Sequence, residues 1–457
     1  MSVITLLRGS IVALTAAGVA AVGVSRASAE ALLLVEADSG KVLFAENATY
    51  PWYPASLTKL MTAYVLLHAV KEGRLTLDSL LTVSQFASVQ KPAKMGLKPG
   101  QQVTVDNALK MLMVRSANDI AVVVAEGVGG SVEKFADEMN RAAIHLGMTQ
   151  SSFVNPNGMP AEDQISSARD LAILARALIH EFPEYDMYWH IPAIRFGAHT
   201  TQNYNKLLGR YPGTDGMKTG FICASGFNLV ATATRNNRRL IAVILGSSSS
   251  AARTVKAAQL LERGFNGAGL AWLAPSLGTV DTLPAIDASP PDLREVICGA
   301  SAHRKKPASE NEDDDDNNAI HEEQNAQQAG NGEQKFKLSN LAPAHGKGSS
   351  LLGPKVEAAN PIEVYVGPSR KPAESQFIAT RAKLRKAAPK PDKSTSNSTD
   401  QVAAAPRTET SPVPGGSGTA TDAAPGWMSF APAGAPTTAP SPTEFGIPVP
   451  RPRPKSN

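Results

Sequence analysis

The chain is 457 residues long with a formal charge of only +4, 5% aromatic residues and 33 prolines. That length exceeds one ordinary domain, and so few aromatics among so many prolines imply that part of it is not packed core. The small charge, with no basic stripe interleaved with aromatics, excludes a dedicated nucleic-acid binder. Two cysteines and eight scattered histidines offer no zinc-type spacing, so no metal is expected, and the chemistry of the chain's motifs implies no cofactor.

Residues 1–29 read as a secretory signal. Arg8 gives a short positive start, Ile11 to Val24 is apolar and small, and Ala27-Ser28-Ala29 is a cleavage site of the A-x-A kind. An uncleaved anchor is the alternative, but the apolar run is short for a membrane span. Export to the periplasm or the outer face of the cytoplasmic membrane is therefore expected. It would place Cys223 and Cys298 in an oxidising compartment, where their pairing stays open because spacing does not fix geometry.

Ala31 to Glu36 and Lys41 to Ala45 form two apolar runs around Asp38-Ser39-Gly40, a predicted hairpin. A helix is predicted from Ser56 to about Val70, with Leu57, Leu60, Met61 and Val65 on one side. Thr104 reads as the cap of a helix through about Val114, followed by another over roughly Asn118 to Glu126. Ser131 caps a third, with Val132, Phe135, Met139 and Leu146 at helical spacing and Gly147 just past its end. Arg169 to His180 is a further helix. Lys218-Thr219-Gly220 is expected at the start of a strand. Phe227 to Thr234 and Arg239 to Gly246 flank Arg235-Asn236-Asn237-Arg238 as a hairpin, and a helix from about Ala251 to Gly264 closes the pattern. The expected class is α+β, an antiparallel sheet whose terminal elements meet, packed against a helical cluster.

Residues 30–268 thus make up the expected catalytic domain. Residues 269–300 keep some apolar content, such as Val280, Leu283 and Ile297, and read as a partly ordered extension. From Ser301 to the end, an acidic run at Glu312 to Asp316 and Pro-, Ser- and Thr-rich sequence cannot bury enough apolar surface to offset chain entropy. Residues 301–457 are therefore expected to be mostly disordered; Ile362 to Val366 could pair as a strand with a partner, but an isolated sticky patch is the preferred reading. Contact with the cell wall or a membrane surface is a role open to this tail.

Ser56-Leu57-Thr58-Lys59 is an S-x-x-K motif, and on a helix its serine and lysine share a face. A serine hydroxyl is a weak nucleophile and needs a neighbouring base, which a neutral lysine amine can be. A helix N-terminus adds backbone N–H groups for a developing oxyanion. Ser116-Ala117-Asn118 falls between two predicted helices, so Ser116 could relay a proton and the Asn118 amide hold a peptide group. Lysine and threonine of Lys218-Thr219-Gly220, on a strand, suit a substrate carboxylate, while the glycine permits close approach of a backbone. Each motif alone has a bland reading as a solvated pair, a cap or a turn. Three in this order form the set of penicillin-binding proteins and class A β-lactamases.

The segments Tyr53 to Thr62, Asp215 to Gly220, Ser225 to Ala231 and Asn155 to Leu171, with Asn157-Gly158 and Ser167 to Leu171 within the last, resemble the low-molecular-mass D-alanyl-D-alanine carboxypeptidases of the S11 serine peptidases, over about residues 30–266. The resemblance implies a β-lactamase/transpeptidase-like fold and a carboxypeptidase acting on peptidoglycan stem peptides, with β-lactams as inhibitors. It makes Ser56 the nucleophile, Lys59 its base, Ser116 and Asn118 the second motif, and Lys218, Thr219 and Gly220 the carboxylate site. It gives the backbone N–H groups of Ser56 and Phe221 the oxyanion hole, and puts Arg253 near the carboxylate, against a reading of that arginine as a solvated helix-start charge. The chain departs from relatives in having Phe221 and Asn157 where some have histidine. It also reads as lacking their β-rich second domain and membrane-binding terminal helix. A D,D-endopeptidase, a β-lactamase and a non-catalytic penicillin-binding scaffold are the alternatives. No convincing glutamate-bearing loop supports the β-lactamase.

Overall fold

The computed structural model describes residues 30–266, 276–299, 351–354 and 360–368. The signal segment and most of the 301–457 stretch, its acidic run included, lie outside the described residues. In chain order the elements are β1 (Ala31–Glu36), β2 (Val42–Glu46), a 3-10 turn (Ala55–Leu57), α1 (Thr58–Lys71), β3 (Leu80–Thr82), α2 (Gln85–Ser88), β4 (Gln102–Thr104), α3 (Val105–Val114), α4 (Asn118–Gly129), α5 (Val132–His145) and α6 (Ala168–Glu181). There follow β5 (Ala193–Phe196), β6 (His199–Gln202), β7 (Thr214–Ile222), β8 (Gly226–Arg235), β9 (Arg238–Ser247), α7 (Ser250–Asn266), α8 (Arg294–Ile297) and β10 (Ile362–Val364).

The main sheet runs β2-β1-β9-β8-β7 and is antiparallel throughout. β1 pairs β9 from Ala31 opposite Leu245 to Glu36 opposite Leu240, so the first and last strands meet as expected. Asn236 and Asn237 both have positive φ, 50° and 59°, the two-residue turn whose twist suits a hairpin. Side chains alternate between two cores. Leu32 and Leu34 of β1 and Leu240, Ala242 and Ile244 of β9 pack with Ala257, Ala258 and Leu261 of α7. Leu33, Val35, Ile241, Val243 and Leu245 face the larger core with α1, α3, α4 and α6. Burial on both faces explains why β1 and β9 are continuous apolar runs rather than alternating ones.

Thr104, Ser131 and Ser167 cap α3, α5 and α6, each side chain accepting from the N–H three residues on. Helix α1 differs from its expected one-sided pattern: Leu60 to Leu67 are buried on every face, because the helix is the hub of its layer. Lys218-Thr219-Gly220 sits in the middle of β7 rather than at its start. The polar Thr214-Asp215-Gly216 stretch before it already pairs with β8, through a register shift that its sequence conceals.

Cys223 and Cys298 form a disulfide, which settles the pairing the sequence left open. It ties the 276–299 extension to the end of β7. Leu293, whose N–H donates to the Ala224 carbonyl at 3.0 Å, and Ile297 are buried there.

The reading of 301–457 as disordered is corrected for two segments. Ile362–Val364 is a strand, parallel to β5, and extends the β5–β6 hairpin into a three-stranded sheet. Val364 is 1% exposed, and the Gly367 N–H donates to the Gln102 carbonyl at 2.7 Å. Leu352 is buried in the core under α7, while the Gly353 N–H donates to the Arg210 carbonyl at 2.7 Å. Short apolar islands in a polar tail thus find an edge and a groove on the domain. Val364→Asp, which would bury an unpaired carboxylate, is expected to cost about 1–2 kcal/mol after partial undocking of the strand, or roughly 2–8 °C in melting temperature. An unchanged melting curve would show that this strand contributes nothing to the fold.

Candidate active site

Ser56 lies in the 3-10 turn that leads into α1. The turn is entered through Ala55 at φ 49°, a left-handed conformation that costs an alanine roughly 1 kcal/mol or more and persists where the surroundings impose it. Here the surroundings are specific. The Asn228 side chain on β8 donates to the carbonyls of Tyr53 and Pro54 at 3.0 and 3.4 Å, and the indole N–H of Trp52 donates to the Ser225 carbonyl at 3.0 Å. On the sheet side, a Cβ at Gly220 would come 2.9 Å from the Pro54 carbonyl oxygen and 3.0 Å from the backbone nitrogens of Ser56 and Leu57. Only glycine lets β7 lie this close to the nucleophile turn.

Lys59, in the first turn of α1, has no measurable exposure. Its amine donates to Ser56 Oγ at 2.9 Å, Asn118 Oδ1 at 2.8 Å and the Asn157 carbonyl at 2.7 Å. One lysine therefore joins α1, the start of α4 and the 155–159 loop. All three of these acceptors are neutral oxygens.

Ser116 links α3 to α4 at φ 57° and is 4% exposed. Its Oγ accepts from Lys218 Nζ at 2.9 Å, across the boundary between the helical layer and the sheet. Lys218 also donates to the Thr219 carbonyl at 2.9 Å and is 1% exposed. The sequence assigned Lys218 to a substrate carboxylate; the structure holds it against Ser116, so its charge acts partly through that hydroxyl. Asn118 spends its amide N–H on the Lys91 carbonyl at 3.0 Å, which orients Oδ1 toward Lys59.

Arg253 is not the solvated charge that its helix-start position allowed. It is 1% exposed beneath β7, donates to the Asn228 carbonyl at 3.2 Å and the Gly220 carbonyl at 3.5 Å, and lies 5.6 Å from the Phe227 ring centre. It reaches the third motif through the strand backbone. Phe221 packs on Phe227, ring centres 4.3 Å apart.

The resemblance marked the Asn155 to Leu171 stretch, but nothing in the sequence assigned its residues a positioning role. Gln164 accepts from the N–H groups of Val154 and Asn155 and donates to Thr58 Oγ1 at 2.9 Å. Asn155 Oδ1 takes the N–H groups of Gly158 and Met159. Asp170, whose carboxyl burial pushes up, is held by Ser151, the Gln150 N–H and Arg169 at the base of the same loop. Ser56, Ser116, Asn118, Asn157 and Phe221 open onto one cleft of about 510 Å³. It can take an extended peptide beside the Ser56 hydroxyl, with Lys59 and Lys218 buried behind Ser56 and Ser116.

The family model for D-alanyl-D-alanine carboxypeptidases matches residues 18–249. D-alanyl-D-alanine carboxypeptidase DacC of Escherichia coli is 40% identical over 244 residues, covering 52% of this chain and 61% of that protein. DacB2 of Mycobacterium tuberculosis, another protein of that name, is 32% identical over 52% of this chain and 82% of its own length. Among solved structures, penicillin binding protein 6B from Escherichia coli superposes with a TM-score of 0.50 at 37% identity, covering 52% of this chain and 76% of that one. The chain spans 61–62% of the length of several curated relatives. With three motifs converging on one cleft of a penicillin-binding-protein fold, and a matching model over half its length, this chain belongs to the D-alanyl-D-alanine carboxypeptidase family of S11 serine peptidases.

Proposed function

We propose that the chain is an exported serine-type D-alanyl-D-alanine carboxypeptidase that removes the terminal D-alanine from peptidoglycan stem peptides, and that β-lactams acylate the same serine. The observation that carries the reading is the Lys59 amine 2.9 Å from Ser56 Oγ, with the Lys218–Ser116 pair beside it. Ser56 Oγ attacks the carbonyl carbon of the penultimate D-alanine while neutral Lys59 takes its proton. The oxyanion is met by the backbone N–H groups of Ser56 and Phe221. Ser116 passes a proton to the departing nitrogen as the peptide bond breaks, D-alanine leaves, and water then hydrolyses the Ser56 ester. In this scheme the peptide lies along β7, its terminal carboxylate at Lys218 and Thr219 and its scissile carbonyl at Phe221.

The test compares peptides ending in a free carboxylate or an amide, with native enzyme and with Thr219→Val. Removing one donor to a charged group should lower kcat/KM by roughly ten- to a hundredfold. The amide should lose a similar factor with native enzyme and little further with Thr219→Val, since the donor it would miss is already gone. Losses that simply multiply would remove Thr219 from the carboxylate site. Equal cleavage of acid and amide by native enzyme would favour the D,D-endopeptidase reading, because an internal bond has no free carboxylate next to it.

A further inference from the structure

The cleft above Ser56 carries two charged residues on its described walls, Arg115 and Arg294, and no carboxylate. Arg115 directly precedes Ser116 and donates to the Tyr204 hydroxyl at 2.9 Å. Arg294 comes from outside the catalytic domain proper. It opens α8 in the 276–299 extension and reaches the cleft because that extension is fastened to the end of β7. The fastening consists of the Cys223–Cys298 disulfide, the Leu293–Ala224 backbone bond and the burial of Leu293 and Ile297.

The position of this fastening along β7 gives it a meaning. If the terminal carboxylate sits at Lys218 and Thr219 and the scissile carbonyl at Phe221, the peptide on the acyl side continues past Ile222, Cys223 and Ala224. That is where Arg294 stands. Its side chain is 60% exposed and paired only at the surface with Asp292, 2.8 Å away, a bond of the kind that exchanges readily for another carboxylate. An arginine fork suits a carboxylate, and a cleft with cations and no acid on its walls favours an anionic ligand.

We propose that Arg294, with Arg115 in support, binds a carboxylate on the acyl portion of the peptide, upstream of the D-alanyl-D-alanine pair, and that the Cys223–Cys298 disulfide holds it there. The enzyme thereby prefers acidic stem peptides, and the preference depends on the oxidised disulfide. The proposal rests on the carboxypeptidase reading, which fixes the direction of the peptide along β7.

Two synthetic peptides ending in D-alanyl-D-alanine test it, one with a glutamyl and one with a glutaminyl residue upstream. D-alanine release gives KM and kcat, and fluorescent penicillin counts the competent sites in each preparation. Native enzyme should favour the glutamyl peptide about two- to fivefold in kcat/KM, through KM and less so at high ionic strength, the scale of a partly exposed ion pair. Arg294→Gln should bring that ratio to about one, and so should reduction of the disulfide or Cys298→Ser. Asp292→Asn, which removes the competing carboxylate, should raise it. Equal use of both peptides by native enzyme, or a preference that survives Arg294→Gln, would overturn the proposal while leaving the carboxypeptidase reading intact. Release of D-alanine from neither peptide, with sites that penicillin still labels, would sink that reading and the proposal with it.

Discussion

Ser56→Ala should abolish both covalent labelling by fluorescent penicillin and release of terminal D-alanine. The cleft holds a second hydroxyl beside a lysine, that of the buried Ser116 at 2.9 Å from Lys218, so the assignment has a real competitor. Position separates them. Ser56 sits at the head of α1, where backbone N–H groups are available to an oxyanion, whereas Ser116 is a single left-handed residue between two helices. The lysines do not discriminate, since Lys218 donates to Ser116 and the Thr219 carbonyl and Lys59 donates to Ser56, Asn118 and the Asn157 carbonyl. Ser116→Ala should therefore slow the reaction yet still give an adduct, and peptide mapping should find that adduct on Ser56. Lys59→Met should slow acylation by roughly 10²–10⁴-fold, the usual worth of a positioned general base. It also strands the Asn118 and Asn157 oxygens, at about 1–3 kcal/mol each where no water replaces the amine, so its melting temperature should fall as well. Stoichiometric labelling of Ser56→Ala, or an adduct on Ser116 in native protein, would reverse the two roles.

What the sequence revealed about this site, it revealed locally. Ser56 and Lys59 are three residues apart, and the caps at Thr104 and Ser131 bond within one turn, so short-range rules suffice for them. The alternation that sends Leu33 and Leu34 to different cores was hidden because both faces of the sheet are covered. Contacts between distant segments were beyond reach. Nothing in Lys218-Thr219-Gly220 says that the lysine will rest on Ser116, and nothing around Arg253 says that β7 will cover it. The β5–β6 hairpin is short, and β6 has the polar sequence His199 to Gln202, so it lacks an apolar period; its third strand comes from Ile362–Val364. That segment was legible as a sticky patch that could pair as a strand, but its partner was not, since the edge it joins lies in another part of the chain. Motifs showed the chemistry; the clamps that hold it were long-range and silent.

The loop that receives the Lys59 proton donor at Asn157 offers the sharpest test of such a clamp. It is fastened to α1 by Thr62 Oγ1 on the Pro156 carbonyl at 2.6 Å and by Gln164 on Thr58 Oγ1 at 2.9 Å. Gly158 turns this loop at φ 79°, and a Cβ there would fall well inside van der Waals contact of the Ala55 carbonyl oxygen. Ala55 cannot step aside cheaply, because it is itself left-handed and sets the turn that carries Ser56. Gly158→Ala should therefore cost more than the conformation alone, about 2–4 kcal/mol against the roughly 1 kcal/mol typical of an alanine at positive φ. Gly130→Ala supplies the comparison, since Gly130 caps α4 at the same φ, 79°, with nothing within 4 Å of its Cβ. Both variants pay for the backbone; only one meets Ala55. Well below either melting temperature, Gly130→Ala should label with penicillin at close to the native rate. Gly158→Ala should be slower by at least about tenfold, because displacing Ala55 or Asn157 moves the nucleophile or its base, and misplacement by about 1 Å can cost a hundredfold. Equal melting temperatures and equal labelling rates for the two variants would mean that the loop yields freely, and that the packing of Gly158 against Ala55 does not position Ser56.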